Sequence, residues 1–169
     1  MFKQKFLVVV LLLMMMLLQA CSDSATDPAS APQSMSNTEA ALKTTQILSG
    51  SVTNVHQEFE DGVMIWEVKM TAPGGGELKF EYFAESGNLK EIHGLSPSFD
   101  YEVNPGMGLI LYSAAKQAAL AAQNGQITSW KLEEDESDTR WEYRFFITSD
   151  RDSEVRIDAS NGDVVRIKS

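Results

Sequence analysis

Side chains that usually carry chemistry are scarce in this chain. It has one cysteine, Cys21, so no intrachain disulfide can form. Its two histidines, His56 and His93, have no metal-ligand spacing and no cysteine nearby; both read as ordinary surface residues. No serine sits at a recognisable nucleophile elbow. The one glycine cluster, Pro73 to Glu77, lacks the lysine-serine pair of a phosphate cradle and reads as a hairpin tip. These gaps point away from an enzyme, and no metal or cofactor is expected. Positive charge is also short, with 14 Lys and Arg against 24 Asp and Glu. Such a surface repels nucleic acid and anionic headgroups and suits a basic protein partner better. The one long apolar run, Phe6 to Leu18, has 13 residues. That falls short of the roughly 20 needed to cross a bilayer core.

The run is nevertheless placed for another purpose. Lys3 and Lys5 precede it, and Leu18-Gln19-Ala20-Cys21 follows. A charged n-region, a short apolar h-region and small residues form a secretory leader. The junction resembles the lipobox of bacterial lipoproteins, whose cysteine is diacylated and becomes the mature N-terminus. The resemblance implies a signal peptide over 1–20, lipidation at Cys21, and an anchor of lipid rather than protein. Ser22 after the cysteine favours the outer membrane by the usual sorting rule. Cleavage would leave 12 basic residues, after loss of Lys3 and Lys5, against 24 acidic.

Residues 21–37 are rich in Ser, Ala, Pro and Asp and read as a tether. Beyond them the chain repeats itself at a spacing of 75 residues. Gly50 matches Gly125, Val52 matches Ile127, Val55 matches Trp130, Trp66-Glu67 matches Trp141-Glu142, and Ala84 matches Ala159. Each unit opens with a helix. Thr38, or Ser36 with Glu39 as a capping box, starts the first, and Ser113 starts the second. Ala41, Thr45 and Leu48 would share one face in the first helix, and Ala115, Ala118, Ala119 and Ala122 in the second. Gly50 and Gly125 would end them.

Strands follow by period-two alternation. Met64, Trp66, Val68 and Met70 share a face, as do Trp141, Tyr143, Phe145 and Ile147, then Leu78, Phe80 and Tyr82, then Val155, Ile157 and Ala159. The expected fold is α+β: two tandem repeats, 38–94 and 111–169, each one helix packed on a four-stranded antiparallel sheet. Residues 95–110 between them read as a linker or an added edge strand. Trp66 and Trp141 read as core. Trp130, matched to Val55, and Phe146, on the face of Arg140, Glu142 and Arg144, are the candidate partner-binding aromatics. The acidic run Glu133 to Asp138 reads as a solvated hairpin.

The unit resembles the PepSY domain: an Ala-rich helix, Gly, a strand with a Trp-Glu pair, and a closing Asp-Ala-x-x-Gly-x-Val. The second unit carries Gly125, Trp141-Glu142-Tyr143 and Asp158-Ala159-Ser160-Asn161-Gly162-Asp163-Val164; the first carries Gly50, Trp66-Glu67-Val68 and Ala84 to Gly87, with Phe83 in the place of Asp158. The resemblance implies a non-enzymatic envelope lipoprotein that binds another secreted or membrane protein, a peptidase among the candidates. The alternatives are an assembly accessory of the outer membrane and a small-ligand or cation-binding module.

Overall fold

The alternating runs become eight strands: β1 Ser51–Glu60, β2 Val63–Thr71, β3 Glu77–Phe83, β4 Leu89–Gly94, β5 Gln126–Glu134, β6 Trp141–Thr148, β7 Asp152–Asp158 and β8 Val164–Lys168. Helix α1, Asn37–Ile47, precedes β1, and α2, Tyr112–Ala122, precedes β5. The structure, a computed structural model, describes residues 34–135 and 137–169. The expected leader, Cys21 and the expected tether up to residue 33 lie outside the described residues. No described helix is long and apolar enough to cross a membrane.

Each repeat is one helix on four antiparallel strands, and the two four-stranded sheets are joined edge to edge. Pairing of β4 with β5 makes one eight-stranded sheet in chain order. Val68, Phe80, Ile92, Leu132, Tyr143 and Ile157 stand directly opposite one another across six strands and are all buried. Directly opposed residues share a face, so one apolar row runs through both repeats and both helices cover it. From α1, Thr44 and the Tyr82 hydroxyl share a hydrogen bond of 3.0 Å. From α2, Tyr112 lies with its ring centroid 4.5 Å from that of Trp130.

Local chemistry sets the helix ends. Ser36 and Glu39 form the capping box of α1, so the helix starts inside the expected tether and not at Thr38. Its buried face is Ala40 and Thr44, one residue round from Ala41 and Thr45. Ser113 does not cap α2. The N-cap is Leu111, without a side-chain bond, and the Ser113 amide donates instead to the Glu102 carboxylate at 3.1 Å. Gly50 and Gly125 lie two residues beyond the C-caps Leu48 and Gln123. A Cβ at Gly50 would stand 2.5 Å from the Thr71 carbonyl oxygen, and one at Gly125 2.6 Å from that of Thr148, so glycine permits close strand approach there. Residues 95–110 form neither a free linker nor a strand. Phe99 and Val103 are buried, and Tyr101 stacks on Tyr112 at 5.5 Å, closing the helix side of the core.

The repeat itself is confirmed with one correction. Met35 and Ile110, 75 apart, donate backbone bonds to Ala84 and Ala159, also 75 apart. Those alanines donate in turn to Met64 and Trp141, which are 77 apart. Trp66 Nε1 donates to the Met35 carbonyl at 2.7 Å, and the Tyr143 hydroxyl donates to that of Ile110 at 3.0 Å. Trp66 therefore corresponds to Tyr143, not to Trp141, and the Trp-Glu pairs are two residues out of phase. The cause is loop length. Asp61-Gly62, both with positive φ as a two-residue hairpin turn requires, joins β1 to β2, whereas residues 135–140 join β5 to β6. The next connection is shorter in the second repeat, 149–151 against 72–76, and the offset returns to 75.

Candidate interaction surface

Alternation that puts apolar residues under the helices sends their neighbours to the opposite, helix-free face. The strand register arranges these in rows. One row reads His56, Glu67, Glu81, Glu91, Glu133, Glu142, Asp158 across β1 to β7. The next reads Lys69, Lys79, His93, Lys131, Arg144, Arg156, Arg166 across β2 to β8. An acidic row and a basic row thus run side by side over nearly the whole sheet. At repeat-equivalent positions the sign is inverted: Glu67, Glu81 and Glu91 correspond to Arg144, Arg156 and Arg166.

The rows neutralise each other. Lys79 contacts Glu81 and lies 3.6 Å from Glu91 and 4.0 Å from Glu67. Lys131 bonds Glu91 at 2.8 Å, and Arg144 bonds Glu133 at 2.6 Å. Arg156 lies 3.4 Å from Asp135 and 3.6 Å from Glu142. The acidic run is therefore not a solvated tip alone: Glu133 and Asp135 fold back onto the basic row. Networks of this kind outlast isolated surface pairs, and the long side chains shield one another, leaving Glu81 and Glu142 buried.

Protonation follows the same geometry. Burial pushes the Lys79 ammonium down, but its bond to Glu81 and the surrounding carboxylates win and raise it overall. Glu91 and Glu133 stand opposite each other at the seam between repeats and move apart. Burial raises Glu133 against the pull of Arg144; burial also opposes ionisation of Glu91, yet Lys131 and Lys79 hold it below the usual range. Burial lowers His93.

His56 Nε2 lies 3.7 Å from both Glu58 Oε2 and Glu67 Oε1, and Glu58, Glu60 and Glu81 form a second carboxylate group. These are the described residues that could hold a cation. Lysines already serve them: Lys69 Nζ is 3.4 Å from the same Glu67 oxygen, and Lys90 Nζ bonds Glu60 at 2.7 Å and Glu81 at 2.6 Å.

The two aromatic candidates part company. Phe146 is partly exposed on the helix-free face, opposite Ser129 and Glu154. Trp130 is fully buried on the helix side, its Nε1 donating to the Tyr101 hydroxyl at 3.0 Å. It is a core residue and cannot anchor a partner, because β5 is central in the joined sheet whereas Val55 lies on the edge strand β1. Trp66 and Trp141 pack partly buried against the core. Phe59, which sequence reasoning passed over, is 70% exposed beside Val63 and Met64 at the end of the first hairpin.

Residues 110–168 match the PepSY family, described as the peptidase propeptide and YPEB domain. The match takes in α2 and β5 to β8, so the second repeat is a PepSY-like domain. Such domains are non-catalytic propeptide and regulatory modules. A crystal structure of a "putative lipoprotein" from Clostridium difficile 630 is similar at 15% identity and a TM-score of 0.38, over 82% of this chain and 95% of that one. No curated protein matches the chain.

Proposed function

We propose that the chain is a non-enzymatic lipoprotein of the bacterial cell envelope, held in the outer membrane by lipid on Cys21, that binds and restrains another envelope protein through the helix-free face of its sheet. A secreted peptidase is the partner class that the PepSY description supports. The observation carrying this reading is the face itself: broad, uncovered by any described helix, ordered into opposed charge rows, and bearing Phe146 among them. A partner with complementary rows could exchange ion pairs with it at little desolvation cost, and Phe146 supplies an apolar anchor.

The test is photocrosslinking in the native envelope with the probe at Phe146 or Lys79, followed by mass spectrometry. One dominant secreted peptidase is the expected capture, with inhibition by the purified chain as the next step. Capture of a membrane assembly complex would make this an assembly accessory instead, and empty crosslinks at both positions would remove the face as a binding site.

A further inference from the structure

The ion-pair network is dense inside the sheet, where Glu91 Oε1, Arg140 Nε, Glu142 Oε2 and Arg144 Nε are the buried atoms without a hydrogen bond among the described residues, and it is left open at the sheet's two ends. On β8, neither Arg166 nor Lys168 has a carboxylate within ion-pair distance among the described residues. On β1, Glu58 has only His56 as a basic group within ion-pair distance among the described residues, and its carboxylate stands near those of Glu60 and Glu81. The two outer edges thus carry unbalanced charge of opposite sign. They also expose apolar surface out of keeping with their position in the repeat. Leu89 and Ile92 on β4 are 8% and 0% exposed, but their equivalents on β8, Val164 and Ile167, are 46% and 45% exposed. At Ile92, which stands opposite Leu132, the difference has a visible source. The outer edge of β4 is covered by β5, while that of β8 is covered by nothing among the described residues.

The molecule also contains the pattern for covering it. β5 is the second repeat's version of β1, and β4 the first repeat's version of β8. The β4–β5 seam is therefore a worked instance of how a last strand pairs with a first strand. We infer that β8 of one copy pairs antiparallel with β1 of a second copy, repeating the internal seam between molecules. Carrying the register Glu91–Glu133, Ile92–Leu132 and His93–Lys131 across at 75 residues sets Arg166 opposite Glu58, Ile167 opposite Gln57 and Lys168 opposite His56. The unbalanced arginine meets the unbalanced glutamate on the helix-free face, and Ile167 gains cover on the helix side. Open edges are templates for just this kind of addition. The contact joins unlike edges, so it propagates head to tail rather than closing as a pair.

The test uses the full chain solubilised in detergent, with sedimentation followed over a wide concentration range at low salt, and three samples: Arg166→Glu, Glu58→Arg, and their equimolar mixture. Arg166→Glu keeps its own sheet intact because position 166 faces Arg156; circular dichroism and melting temperature confirm folding of each variant. The wild type is expected to associate with rising concentration, each single variant to do so at least tenfold more weakly, and the mixture to recover. Recovery on mixing separates this contact from symmetric β8–β8 pairing, to which position 58 is irrelevant. A wild type that stays single throughout, a Glu58→Arg chain that associates like wild type, or a mixture that fails to recover would each overturn the inference.

Discussion

Gly94 and Trp130 are paired across the seam, and the indole fills the space where a Cβ at Gly94 would stand. Gly94→Ala therefore has to push the indole from its bond to Tyr101. Overpacking of this kind costs about 1–3 kcal/mol, and Trp130→Ala, which empties the site, about 3–5 kcal/mol. Urea unfolding followed by circular dichroism would show both as lowered midpoints. If Trp130→Ala left the midpoint unchanged, its assignment to the core would fall. Nothing next to Trp130 in sequence announces this role. Its repeat mate is Val55 on an outer strand, and only the joining of the two sheets turns the position into a centre. Phe146 is different, because alternation with Arg144 and Glu142 was enough to place it on the charged face.

Among elements, the two helices begin by different devices, and mutation should separate them. Ser36→Ala removes a capping-box partner and is expected to cost about 1 kcal/mol. Ser113→Ala should be close to neutral, because that hydroxyl caps nothing, while Glu102→Gln should weaken α2 by removing the charged acceptor of its Ser113 amide. Thermal melts of the three variants check the order; equal losses at Ser113 and Glu102 would contradict it. Helix and strand content was legible in the sequence because 3.6 and 2 are local periods. The two-residue phase error between β2 and β6 was not, since compensating loop lengths left the overall spacing at 75 and a chance Trp-Glu coincidence fell on it. The charge rows were equally hidden. Each is made of residues contributed one per strand, and they line up only once register is known.

For the whole molecule, the core is rich in tyrosine, and this makes its stability sensitive to alkali. All four tyrosines, Tyr82, Tyr101, Tyr112 and Tyr143, are shifted upward by burial, Tyr82 and Tyr101 to about 12 from an ordinary 10.0. The unfolded chain releases these protons from about pH 10 while the folded chain holds them, so unfolding becomes progressively easier between pH 10 and 12. Lys79 and Lys90, both raised above 10.5, act in the same direction: their stabilisation is complete below 10.5 and fades above it. Tyrosinate absorbance at 295 nm should stay flat through pH 10 and then rise together with loss of circular dichroism. An early rise with the fold intact would show that the tyrosines are solvated. The inversion of sign between repeats has a different kind of consequence. A duplicated gene begins with interchangeable halves, and recombination tends to keep them alike. Here Arg144 and Arg156 now sit where the first half holds Glu67 and Glu81, and they face Glu133, Asp135 and Glu142. In the first half Glu81 is neutralised by Lys79 and Lys90, whereas in the second Arg144 and Arg156 are neutralised by Glu133, Asp135 and Glu142. Each half therefore keeps its own set of counter-charges, and a single residue moved from one half to the other arrives without its partner.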